Sequence, residues 1–208
     1  MMRIGIDLDN TLIHYDNAFI TAAKERGLVP TNFSGTKQQV RDHIRTLTDG
    51  ETKWQALQGY VYGKGITHAA LFPGAVEFIA EALAHGHELF IASHKTEFGH
   101  FDPDKINLRD AAIGFLEAQG FFTTLGFNRA NISFHSTRAE KVDKITALNL
   151  DWFIDDLVEV YEEAHFPATT RKILFHTLPP PLPAGPWQVC HSWQDIRSVI
   201  VCRPAGGL

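Results

Sequence analysis

Five short apolar runs, set apart by stretches with helical spacing, constrain the fold of this chain more than any other feature. The first, residues 3–9, alternates Ile4, Ile6 and Leu8 and ends in carboxylates, as a strand does. The others are residues 88–92, 132–134, 152–154 and 172–175. Between them the spacing predicts helices: one carrying Val76, Ile79 and Leu83 and stopped by Gly86, one opened by Asn107 with Leu108, Ala111, Ala112, Phe115 and Leu116 on one side and Gly120 as its stop, and one over residues 139–148. A short helix holds Val158 and Tyr161, a proline-rich loop covers 178–186, and Ser192 with Asp195 opens the last helix. Strands alternating with helices imply an α/β protein with an open, doubly wound, Rossmann-like parallel sheet.

Residues 15–71 interrupt that rhythm with helical patterns only, including Phe19, Ala22 and Ala23 ahead of Gly27, then Val40, Ile44 and Leu47, then Trp54, Leu57 and Val61. The stretch is too long for a simple crossover, so it is expected as an inserted α-helical subdomain, with residues 1–14 and 72–208 forming the core. Charge supports the division: the insert carries +2 and the remainder −7, in a chain of −5 overall. That balance lacks the broad basic footprint of a nucleic-acid binder. No apolar run approaches the roughly 20 residues of a membrane span, and a cytoplasmic location is expected. Cys190 and Cys202 are the only cysteines and are expected as reduced thiols; with the 11 histidines scattered, no transition-metal site is expected.

Chemistry-bearing residues fall at the carboxyl ends of the expected strands, where open parallel sheets hold their ligands. They are Asp7 and Asp9, Ser93, and the pair Asp155 and Asp156, with Lys141 opening the helix before the fourth strand. Each alone is commonplace: a serine after a strand is often a helix cap, and a lone lysine is usually solvated. Their order and placement carry the information. An Asp-x-Asp-Asn start also suits a calcium loop, but Leu12 stands where the needed glycine would be.

The set Asp7-Leu-Asp9-Asn10-Thr11, Ile91-Ala-Ser93, Lys141 and Phe153-Ile-Asp155-Asp156 resembles the four motifs of the haloacid dehalogenase superfamily, over about residues 3–175. The resemblance implies a small helical cap at residues 15–71 and a first strand lying between those of the second and fourth motifs. It implies that Asp7 is a nucleophile forming an aspartyl phosphate, that Asp9 is the general acid and base, and that Thr11 fixes the following turn. Ser93 and Lys141 would hold phosphoryl oxygens. Four aspartates beside a phosphate dianion repel one another, so a divalent cation is implied. Magnesium is the candidate, on Asp7, the main-chain carbonyl of Asp9, and one or both of Asp155 and Asp156. Aligned on the family's Gly-Asp variant, Asp156 is the ligand and Asp155 its supporting partner. Lys144, one turn after Lys141, is the rival lysine.

The implied activity is magnesium-dependent hydrolysis of a small phosphomonoester, with a phosphomutase or a non-catalytic binding module on the same fold as alternatives. Asp9 argues against dehalogenases, which generally lack that second aspartate. Substrate choice would rest with the insert and with the loop after the second strand, where His94, Lys95 and His100 stand.

Overall fold

A computed structural model of the chain describes residues 1–177 and 181–201. In chain order its elements are β1 (Arg3–Ile6), β2 (Ile13–His14), α1 (Asp16–Glu25), α2 (Lys37–Arg45), α3 (Gly50–Tyr62), β3 (Ala70–Leu71), α4 (Ala75–Ala84) and β4 (Glu88–His94). There follow α5 (Leu108–Ala118), β5 (Ile132–His135), α6 (Arg138–Ala147), β6 (Trp152–Asp155), α7 (Val158–Tyr161), β7 (Arg171–Phe175), β8 (Gln188–Cys190) and α8 (Trp193–Ile200).

Six strands form one parallel sheet in the order β5-β4-β1-β6-β7-β8. All four residues of β6 and five consecutive residues of β4, Leu89 to Ser93, are buried. Successive side chains of a strand point to opposite faces, so the middle of the sheet is covered on both. This is the expected doubly wound α/β architecture. Phe90, Val142, Ile145, Leu150, Phe153 and Leu174 belong to one core cluster joining α6 to the sheet. Fully burying a side chain of this size stabilises by roughly 1.5–3 kcal/mol. Capping boxes at Thr36, Thr137 and Ser192 open α2, α6 and α8.

The sequence pattern did not announce β8. It has three residues, and one of them, Gln188, is polar and exposed. Burial pushes the Cys190 thiol at its end up to about 12, with the charge of Asp195 adding to the effect. Cys202 and residues 178–180 of the expected proline-rich loop lie outside the described residues. Among the described residues, no helix is long and apolar enough to cross a membrane.

The chain divides into two compact units. One comprises residues 1–12, 71–94 and 121 onward; the other comprises 13–70 and 95–120. The sequence placed residues 95–120 in the core, whereas here they group with the helical insert. The reason is packing that no local pattern encodes. The α5 helix rests on α3 and on the 3-10 turn Lys64–His68. The preceding loop approaches α3 backbone to backbone, so that a Cβ on Gly99 would lie 2.4 Å from the Gly59 Cα. Within this unit Phe19 stacks on Trp54 at 5.0 Å and meets Tyr62 edge-on at 5.7 Å.

Gly99→Ala is therefore expected to lower stability by about 1–3 kcal/mol through overpacking and to speed protease cleavage between residues 96 and 106. Denaturant titration and timed digestion read both effects, and an unchanged midpoint would argue against this packing.

Candidate active site

β1 sits between β4 and β6, so the chain leaves the sheet in opposite directions on either side of it. Three neighbouring parallel strands bring Asp7, Ser93 and Asp155 to one edge. The ladder continues one step past β1, where the Asp7 N–H donates to the Ile154 carbonyl at 2.8 Å, and this fixes Asp7 beside the end of β6.

Thr137 caps α6 through the Glu140 N–H, and Lys141, in the first turn, faces inward. It is 1% exposed, and its ammonium donates to Asp7 Oδ1 and to Asp155 Oδ2, both at 2.6 Å. Lys144, by contrast, is part-exposed. Asp155 is fully buried, and its other oxygen accepts the Leu157 N–H at 2.9 Å. Asp156 is only partly buried, and the Thr11 hydroxyl donates to its Oδ1 at 3.4 Å. Asp7, Asp155 and Asp156 each offer a carboxylate oxygen within 4.8 Å of the others. The side chain of Asp9 is not in that group.

Burial pushes the Asp7 carboxyl up to about 7; Lys141 opposes this, while the charges of Asp155 and Asp9 add to it. Burial works against the Lys141 ammonium, yet Asp155 and Asp7 together hold its proton well above the ordinary lysine range. Buried charge of this kind survives only when paired, and here the Lys141 ammonium pairs with both Asp7 and Asp155.

Ser93 Oγ is buried and has no hydrogen-bond partner among the described residues. A buried hydroxyl left unpaired costs about 1–3 kcal/mol, and such orphans mark places where a ligand completes the bonding. His94 Nε2 lies 3.1 Å from the Ser136 carbonyl oxygen. In the second unit the Lys95 ammonium stands over the Tyr62 ring at 4.6 Å, and Lys37 Nζ donates to the Tyr62 hydroxyl at 2.7 Å.

Sequence reading took Tyr161 only for a helix residue. Its buried hydroxyl bridges two strand carbonyls, 3.0 Å from Phe153 O and 2.5 Å from Ile173 O, and so braces β6 against β7 beneath Asp155. A tyrosine on the inner face of a four-residue helix after an acidic pair is the only signal available.

No family model matches the sequence, and no curated protein matches it. Solved structures do. The match to a haloacid dehalogenase-like hydrolase of Streptococcus pneumoniae has a TM-score of 0.59 and 19% identity, over 96% of this chain and 98% of that one. A haloacid dehalogenase family hydrolase of Deinococcus radiodurans with bound phosphate and sodium gives 0.56 and 15%, over 96% and 95%. The fold is that of the haloacid dehalogenase superfamily. The Protein Tyrosine Kinase A of Mycobacterium tuberculosis is also similar, at 0.60 and 17% over 96% and 98%. At such identities the likeness establishes the superfamily fold, and the reaction has to be argued from the site.

The paired charges give a pH dependence. An unfolded chain releases the Asp7 proton near 3.8, whereas the folded protein holds it to about 7. Between those values the folded state binds more protons, so metal-free stability falls as pH rises. Glu51 and Glu81, held down by hydrogen bonds from Arg45 and Arg197, act in the opposite sense only below the ordinary carboxylate range. His87, lowered by burial, opposes the trend weakly near its own titration. Metal-free protein is expected to melt at a higher temperature at pH 5 than at pH 8, and a higher melting point at pH 8 would contradict the Asp7 assignment. Lys141→Met, which leaves two buried carboxylates without their cation, is expected to cost about 3–5 kcal/mol at pH 8 and less at pH 5. Chemical denaturation at the two pH values measures the difference.

Proposed function

We propose that the chain is a magnesium-dependent phosphatase that hydrolyses a small phosphomonoester through an aspartyl phosphate on Asp7. The observation that carries the reading is the buried Lys141 ammonium bonded to Asp7 and Asp155, with Asp156 beside them, at the sheet edge where the strand order reverses on either side of β1.

The donor set suits magnesium. Around an ion with bonds of ~2.1 Å, octahedral oxygens stand ~3 to ~4 Å apart, and the three carboxylate oxygens here fall within 4.8 Å. Asp7, Asp156 and the main-chain carbonyl of Asp9 would hold the ion. Both Asp155 oxygens are already engaged, by Lys141 and by the Leu157 N–H, which makes Asp155 the residue that orients the lysine. When bound, the cation supplies positive charge against the phosphoryl oxygens.

Asp7 attacks phosphorus, so that a carboxylate oxygen–phosphorus bond forms as the bond to the leaving oxygen breaks, and Asp9 gives that oxygen its proton. Asp9 then takes a proton from the water that attacks the same phosphorus, which frees inorganic phosphate and restores Asp7. The unpaired Ser93 hydroxyl and the remaining Lys141 donor would take the non-bridging oxygens, where negative charge has to be accommodated. The helical unit, residues 13–70 with 95–120, is proposed as the cap that selects the substrate. The phosphate held by the Deinococcus structure supports the ligand class.

Phosphate release is expected from at least one member of a panel of sugar phosphates, nucleoside monophosphates and an aryl phosphate, with magnesium and not with chelator. Asp7→Asn should abolish it, and Asp9→Asn should lower kcat by about 10²–10⁴-fold. An Asp7→Asn protein as active as its parent defeats the mechanism, and an isomeric phosphate in place of free phosphate identifies a mutase.

A further inference from the structure

The turn that carries Asp7, Asp9 and Thr11 is tied down at four points. Asp7 N–H bonds to β6, Leu12 N–H closes back on the Leu8 carbonyl at 3.0 Å, and the Phe72 N–H donates to the Leu12 carbonyl at 2.9 Å. The fourth tie comes from the far end of the chain: Trp193 Nε1 donates to the Thr11 carbonyl at 3.0 Å, across 182 residues of sequence. Asn10, inside the turn, has φ 62°, a conformation that asparagine tolerates better than most residues, so this backbone depends on its anchors.

Trp193 is fully buried and held from several sides. Its ring lies 5.1 Å from Phe78 and 6.0 Å from Phe175. Gly74, at φ 85°, leaves it room, since a Cβ there would stand 3.1 Å from the Trp193 Cβ. The capping box of Ser192 and Asp195 starts α8 at this residue, and Arg197 pairs with Glu81 on α4. A phenylalanine ring could serve the packing, but it lacks the N–H that the indole gives to the buried Thr11 carbonyl. Thr11 in turn directs its hydroxyl to Asp156.

We propose that Trp193 is a positioning residue for the cation site: its N–H holds the Thr11 backbone, and through it the Asp9 carbonyl and the Asp156 carboxylate, in the arrangement the ion requires. The inference rests on the reading of Asp7, Asp9 and Asp156 as ligands. It assigns a role to a residue in the carboxyl-terminal segment, beyond residues 3–175 where the motif resemblance runs.

Trp193→Phe keeps a ring and deletes the donor. Manganese binding to the full chain, followed by the loss of the free-ion signal in electron paramagnetic resonance, is expected to weaken about tenfold, with a small change in the metal-free unfolding midpoint. Phe78→Leu loosens the packing around the same ring and leaves the donor, so it should lower the midpoint and keep manganese affinity. Affinity equal to the parent's in Trp193→Phe overturns the proposal, as does equal weakening in Phe78→Leu. A parent that binds no manganese overturns the cation site itself, and this role with it. Should Trp193→Phe fail to fold, nitrogen-15 spectra of the parent decide. The Trp193 indole proton is expected to exchange slowly and to shift on magnesium addition; fast exchange with no shift refutes the role.

Discussion

A lysine ammonium with 1% exposure, bonded to two carboxylates, is the constraint around which the sheet edge is arranged. Removing three charges from water costs several kcal/mol per ion before any pairing offsets it. The offset demands that α6 begin where it does, because Lys141 reaches inward only if Thr137 caps the helix one turn earlier. It also demands that β1 and β6 be neighbours, since Asp7 and Asp155 share one donor. Burial holds the Asp7 proton up to about 7 even so, against the pull of Lys141 and with the charges of Asp155 and Asp9 adding to it. A site of this kind is incomplete as a polar network, since the buried Ser93 hydroxyl has no hydrogen-bond partner among the described residues.

Much of this was legible because the signals are local. An apolar run that ends in Asp7, Ser93 or Asp155 marks both a strand and the edge at which it stops, and Gly86 and Gly120 mark where the intervening helices end. Lys141 was legible from its place at the start of the helix, near the strand ends, while Lys144 lies one turn further along, part-exposed. What escaped is non-local. The apolar face of α5 is legible in Leu108, Ala111, Ala112, Phe115 and Leu116, of which all but Ala111 are buried, but a pattern of burial does not name the partner. Here the partner is α3, approached through the Gly59 and Gly99 backbones. The three-residue strand β8 takes its identity from its neighbour β7 rather than from its composition.

The same distinction separates the carboxyl-terminal segment from the rest. Its sequence shows a capped amphipathic helix and nothing more. Only the folded chain shows that β8 adds to the edge of the sheet and that α8 returns Trp193 to the first loop, where its N–H meets a carbonyl that would otherwise be buried unpaired. A motif read along the sequence contains the groups proposed to react, whereas the anchors of the turn that carries them come from wherever the fold passes nearby.

Asp155 and Asp156 illustrate how a fold makes two identical neighbours chemically different. Consecutive residues leaving a strand point to opposite sides. The first therefore turns into the core, where both of its oxygens are taken by Lys141 and a backbone N–H. The second stays partly exposed, with the Thr11 hydroxyl at a long 3.4 Å from one oxygen. A cation entering among these acids would have to break two short bonds to recruit both oxygens of Asp155. Asp155, the last residue of β6, and Asp156, the first beyond it, thus differ in burial and in hydrogen-bond partners although each brings an oxygen within 4.8 Å of the other, so their difference is set by where the strand ends rather than by residue type.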